Sequence, residues 1–181
     1  CLLSGNTAVV KPATDTPASA GELVQVLHEA GLPDGVLNIV YGGGGEIGEV
    51  ILNHKDIVGV SFTGSSDIGR RIGEVCGKTL KRCSLELGGK NGQVVLKDAD
   101  LNLALEGVLW GAFGTTGQRC TATSRLILEE PIYNKFIDML KQEAEKLKLG
   151  NGLNEDVDVG PLVSKAQRES IHAYVEIGKK D

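Results

Sequence analysis

No long hydrophobic run occurs in the 181 residues. Apolar stretches such as Val94-Val95-Leu96 and Leu126-Ile127-Leu128 are strand-sized, far short of the ~18 residues of a membrane-crossing helix. Positive charge is not in excess either. Lys and Arg total 19 against 24 Asp and Glu, and the net charge of −5 disfavours a nucleic-acid or anionic-membrane partner, although a phosphate-bearing ligand needs only a local site. The cysteines, Cys1, Cys76, Cys83 and Cys120, form no Cys-x-x-Cys pair, and His28, His54 and His172 lie far apart, so no metal site is expected. A soluble, reduced, cytoplasmic protein follows as the expectation. The 25 glycines, roughly twice the usual ~7%, show no period, which excludes collagen and repeat arrays and marks turns instead. A chain of this length buries roughly 70% of its unfolded surface and needs no staples. It opens at Cys1 with neither Met nor a basic leader, and is expected to be an internal piece of a longer protein.

The order of patterns predicts an α/β fold. Asn6 to Val10 leans to strand; Thr16 as N-cap and Pro17 at the first position open a helix with Ala20, Leu23, Val24 and Leu27 on one side and Gly31 past its end. Val36 to Tyr41 is a strand, Glu46 to Asn53 a short helix, and Ile57 to Phe62 a third strand. A helix carrying Ile68, Ile72 and Val75 follows, then a strand from Cys83 to Leu87. This alternation predicts an open parallel sheet with helices on both faces over 1–88. A second α/β lobe over 89–181 is expected: strand Gln93 to Leu96, a helix capped by Asp100 and running to Phe113, and strand Ser124 to Glu129. Pro131 then starts an amphipathic helix with Ile132, Phe136, Met139, Leu140 and Leu147, a polar stretch runs from Gly150 to Asp158, and a helix from near Ser164 continues to the chain end.

Two glycine-rich turns compete as phosphate sites. Gly43 to Gly48 satisfies G-x-G-x-x-G between strand and helix, but no acid ends the next strand, which closes at Phe62-Thr63-Gly64 with Asp67 beyond it on the helix. A tight turn that lets something flat approach the backbone is the preferred reading. Gly64-Ser65-Ser66-Asp67-Ile68-Gly69 is the better candidate, since hydroxyls and free N–H groups meet at a helix N-terminus. Ser65 or Ser66 as a plain N-cap is the competing reading. Lys11 ends the first strand, the edge at which open α/β sheets bind ligands, and is either a ribose and phosphate ligand or a solvated lysine.

Two further residues can carry chemistry. Glu86 stands between Leu85 and Leu87, just before Gly88-Gly89. It either caps that turn, or pairs, or acquires a raised pKa from apolar company suited to a general base. Cys120, in Gly117-Gln118-Arg119-Cys120-Thr121, sits in a polar loop where cationic charge and exposed N–H groups favour a thiolate. Most lone cysteines are simply small buried hydrophobes. Among the four, Cys120 is the one placed for nucleophilic attack.

Lys11-Pro12-Ala13, Phe62-Thr63-Gly64-Ser65, Glu86-Leu87-Gly88-Gly89-Lys90 and Gly117-Gln118-Arg119-Cys120 together resemble the NAD(P)-dependent aldehyde dehydrogenase superfamily in order and approximate spacing. The likeness extends through Pro33-x-Gly35-Val36-x-Asn38, Asp98-Ala99-Asp100 and Gly160-Pro161. It implies a Rossmann-like cofactor part followed by the start of a catalytic lobe. It further implies oxidation of an aldehyde, a semialdehyde being one option, through a thiohemiacetal and thioester on Cys120, with Glu86 activating the hydrolytic water. NAD or NADP would lie on Lys11, Thr14, Gly44, Gly64, Ser65, Ile68 and Gly69. Trp110, Phe113 and Thr121 are candidates for the aldehyde tunnel or for plain packing.

The resemblance also sets expectations about the remainder. The family's oxyanion-hole Asn falls before residue 1 and a second acidic residue after 181, so the piece alone is expected to be weakly active or inactive, and a homo-oligomer when full length. Thr14 stands three residues after Lys11, where strongly NAD-preferring members often carry Glu, and implies that NADP is also accepted. Alternatives are a cofactor-binding or structural protein without activity, and a CoA-acylating relative.

Overall fold

The computed structural model describes residues 1–180, which divide into two compact units, Cys1–Leu87 and 88–180. In the first, β1 (Ala8–Val10) pairs in parallel with β2 (Leu37–Ile39) through α1 (Ala18–Glu29). Val24 of α1 and Leu37 of β2 are buried, and the His28 imidazole donates from Nε2 to the Leu37 carbonyl at 3.1 Å, tying the helix to the strand it precedes. Thr16 does not cap α1. Its N–H turns back to the Ala13 carbonyl (3.3 Å), Pro17 takes the capping place without a side-chain bond, and the helix begins one residue later than expected. Gly31, at φ +95°, ends the helix in the left-handed region that glycine enters without strain.

The second half of this unit repeats the pattern. A wide turn over Gly44–Gly48 leads into α2 (Glu49–Asn53). Then β3 (Gly59–Gly64) pairs in parallel with β4 (Arg82–Leu87) through α3 (Ser66–Thr79). Gly69, Ile72, Val75 and Cys76 recur at helical spacing along the buried stripe of α3, which packs with Leu52 on Val60, Phe62 and Leu85. Gly69 is required by packing: a Cβ there would come within 2.5 Å of Leu87 Cδ2. Lys81 Nζ donates to the carbonyls of Leu52 and His54, both at 2.7 Å, and closes the C-terminal end of α2.

The α/β class with parallel pairing is as expected. The sheet differs in being divided, because β1–β2 and β3–β4 form separate two-stranded pairs and no strand among the described residues joins them.

In the second unit β5 (Asn91–Val95) pairs in parallel with β6 (Thr123–Leu128) across α4 (Leu101–Phe113), and α5 (Tyr133–Ala144) packs on α4. Asp100 caps α4, its Oδ1 accepting the N–H groups of Asn102 (3.0 Å) and Leu103 (3.2 Å). Val95, Leu105, Val108, Ile132 and the fully buried Phe136 form the core. Leu147 is not on α5, since the backbone loosens into shorter-range bonds after Ala144. A bridge between Leu149 and Val159 closes the polar stretch, and α6 (Lys165–Gly178), capped by Ser164, buries none of its residues. It ends at Gly178, before the chain does. No described helix is long and apolar enough to cross a membrane.

Candidate active site

In the first unit the sequence-selected residues gather at carboxyl ends of strands. Lys11 follows β1, and its Nζ donates to the Pro12 carbonyl (2.5 Å) and to the Gly42 carbonyl just after β2 (3.3 Å). It is thus half-buried and anchored, not a solvated loop lysine. Thr14 is exposed in the turn that follows. Gly44 and its neighbours Gly43, Gly45 and Gly48 have open space where a Cβ would stand, so no packing within the described chain accounts for these glycines.

At the end of the β3–β4 pair, Ser65 caps α3, its Oγ accepting the Ile68 N–H at 3.4 Å. The plain-cap reading therefore holds for its side chain, while the N–H groups of Ser66 and Asp67 carry no bond among the described residues. Asp67 is engaged by Arg70 at 2.6 Å on its own helix. Ile68 is 52% exposed beside this end, whereas Gly69 lies buried, its Cα packed against Leu87.

Glu86 shares this edge. The register sets Thr63 opposite Glu86 and Gly64 opposite Leu87, which brings the carboxylate and the N-terminus of α3 to one end of the pair. The apolar company expected from its neighbours is absent, because strand alternation turns Leu85 and Leu87 to the α3 side and Glu86 to the other. Exposed, it neither caps the glycine turn nor forms an ion pair among the described residues.

In the second unit Cys120 is an exposed free thiol in the loop between α4 and β6. The loop is strained at its entry: Thr115 (φ 53°), Thr116 (φ 58°) and Gly117 (φ 67°) are all left-handed, a conformation that costs of order 1 kcal/mol or more at each threonine. Side chains hold it there. Thr116 Oγ1 donates to the Gly160 carbonyl (3.2 Å) and Gln118 Oε1 accepts the Val163 N–H (3.2 Å), which gives the Gly160-Pro161 segment its structural meaning.

Arg119 departs from expectation. Its guanidinium lies over the Trp110 ring, 4.2 Å from the centroid, and Nη2 donates to the carbonyls of Trp110 (2.8 Å) and Gly111 (3.4 Å), so its charge serves the C-terminal end of α4. Two backbone N–H groups remain, those of Cys120 and Thr121, with no acceptor among the described residues. Trp110 and Phe113 line a shallow, mostly apolar depression of about 190 Å³ with Leu109, Gly114, Leu147, Asp158 and Val159; Thr121 is exposed elsewhere on the loop.

Asn91 was not singled out by the sequence. Its Nδ2 donates to the Cys120 carbonyl at 2.6 Å and to the Ala122 carbonyl at 3.0 Å. Asparagine two residues past the Gly88-Gly89 pair reads as a turn residue, and only the pairing of β5 with β6 brings residues 91 and 120 together.

The aldehyde dehydrogenase family model matches residues 1–181. The chain is 49% identical over 180 residues to the 2,5-dioxopentanoate dehydrogenase of Saccharolobus solfataricus, covering 98% of the chain and 37% of that protein. It is 43% identical over 180 residues to the α-ketoglutaric semialdehyde dehydrogenase of Bacillus subtilis, covering 99% and 37%. Among solved structures, betaine aldehyde dehydrogenase from Staphylococcus aureus in complex with NAD+ superposes with a TM-score of 0.96 at 36% identity, over 99% of this chain and 36% of that one. The chain thus spans little more than a third of the length of the relatives it matches.

Proposed function

Since this chain belongs to the aldehyde dehydrogenase family over its whole length, we propose that it is the part of an NAD(P)-dependent enzyme that carries the nucleophile, Cys120, and the general base, Glu86. The observation that carries the reading is the Cys120 loop: an exposed thiol on a fixed backbone whose own N–H has no acceptor among the described residues. The Cys120 thiolate attacks the aldehyde carbon; the C–S bond forms, and the carbonyl electron pair moves to oxygen. The Cys120 N–H donates to that oxyanion, an interaction stronger with the developing charge than with the neutral carbonyl. NAD(P), when bound, supplies the hydride acceptor that turns the thiohemiacetal into a thioester. Glu86 takes a proton from water as the water oxygen attacks the thioester carbon; the C–S bond breaks, and the acid leaves with the thiolate regenerated.

The residues of the first unit suit a dinucleotide. Lys11 is preset at a strand end, two N–H groups at the α3 N-terminus await an anion, and the open face over Gly43–Gly45 admits a flat group. A CoA-acylating reaction has no need of a base for water, and the unpartnered Glu86 carboxylate favours hydrolysis. The names of the two relatives point to a semialdehyde as substrate.

Rapid mixing of the full-length protein with aldehyde and NAD(P) tests the assignment. C120A is expected to give no burst of reduced cofactor. E86Q is expected to give a burst of about one equivalent per site and then stall, because acylation survives without hydrolysis. Turnover by C120A, or steady turnover by E86Q near the wild-type rate, rejects the corresponding role.

A further inference from the structure

We propose that Asn91 is a positioning residue for Cys120: by donating both amide hydrogens to the carbonyls of residues 120 and 122, it holds the main chain that aims the nucleophile. The proposal rests on the assignment of Cys120 as nucleophile.

The direction of the Cys120 side chain is set by the two peptide planes that flank its Cα. The plane before it is fixed by the Ala122 N–H, which donates to the Arg119 carbonyl at 3.1 Å. In a trans peptide the N–H of residue 120 lies opposite the carbonyl of residue 119, so this bond also sets the direction of the proposed oxyanion donor. The plane after it is fixed from outside the loop by the 2.6 Å bond from Asn91 Nδ2 to the Cys120 carbonyl. A second bond of 3.0 Å to the Ala122 carbonyl consumes the other amide hydrogen and fixes the span across Thr121.

Asn91 stands where it can do this because the backbone ladder stops there. Asn91 pairs with Thr123 at the start of β5 and β6, and the register shifts between Asn91 and Gly92. Beyond that pair no strand residue remains to bind carbonyls 120 and 122, and the side-chain amide takes over. The demand is narrow. A carboxylate of the same shape has no donor and would face two carbonyl oxygens, whereas a hydroxyl offers one donor on a shorter arm. An ångström of misplacement at a reacting group costs up to about 100-fold in rate.

Burst kinetics of the full-length enzyme at saturating NAD(P) test the assignment through N91D and N91S. N91D is expected to slow the acylation burst roughly 10- to 100-fold, with KM for NAD(P) within about twofold of wild type and a similar melting temperature; N91S falls between. A burst rate for N91D within twofold of wild type overturns the proposal. A loss of rate that comes with an equal rise in the cofactor KM and a lowered melting temperature also overturns it, since that is a general structural defect. If N91D does not fold, N91S decides by the same comparison. C120A separates the two levels: a burst in C120A rejects the nucleophile and the role of Asn91 with it, while a silent C120A beside an unimpaired N91D rejects Asn91 alone.

Discussion

Cys76 and Cys120 are the same functional group in opposite surroundings. Cys76, 2% exposed on the buried stripe of α3, has its thiol pushed up from the ordinary value of 9.0, first by burial and then by the neighbouring Cys83 thiol. A group whose pKa is raised on folding contributes its stability below the unfolded value and loses it as pH rises, because the unfolded thiol ionises while the folded one resists. The unfolding free energy is therefore expected to fall above about pH 9.0. In C76A this alkaline decline should be shallower, while the loss of buried volume lowers stability at every pH. Urea titrations of both proteins across that range measure the difference, and parallel curves would exclude the buried thiol as its source. Reactivity follows the same contrast, since the sulfur of residue 120 meets solvent and that of residue 76 does not.

At the scale of elements, α4 sets where the Cys120 loop begins, and both of its ends are secured by side chains. Asp100 holds the N-terminus and Arg119 the C-terminal carbonyls. D100A is expected to cost about 1 kcal/mol of stability, with the alkylation rate of Cys120 unchanged, because the far end of the helix and the Asn91 contacts are untouched. A urea midpoint equal to wild type, or a changed alkylation rate, would show the two ends to be otherwise coupled. The helix caps at Asp100 and Ser164 are legible in the sequence, since a short polar side chain before an apolar period has few other uses. Thr16 has the same local signature and fails as a cap, because the turn over 13–16 claims its backbone first.

On the proposed function, cofactor choice belongs to the full-length protein, where ribose and phosphates would be bound together. Thr14, exposed in the turn after Lys11, presents no negative charge to a 2′-phosphate. The full-length protein is expected to use NADP as well as NAD, and T14E to shift the ratio of kcat/KM values towards NAD by about tenfold or more, the equivalent of one charge–charge contact of roughly 1–2 kcal/mol near a surface. An unchanged ratio removes Thr14 from the discrimination. The two halves of the first unit, each a strand–helix–strand pair with its own parallel register, also belong to this scale: the alternation of patterns specifies each pair, but not whether a further strand joins them.

The sequence alone is enough for the class of the fold and the order of its elements, and for nominating the groups proposed to react. These depend on short-range physics: helical and strand periods, glycine at turns, a cysteine in a polar loop. It also placed Lys11, Ser65 and Glu86 at strand ends, because parallel strand–helix–strand units bring their carboxyl ends to one edge. Tertiary structure alone decided which face each side chain takes and what it meets. Glu86 loses its apolar neighbours because adjacent strand residues point to opposite faces. Arg119 turns its charge to the end of α4 because the loop folds back over Trp110. Asn91 acquires its partners 29 and 31 residues away because β5 lies against β6, a pairing that no local pattern encodes.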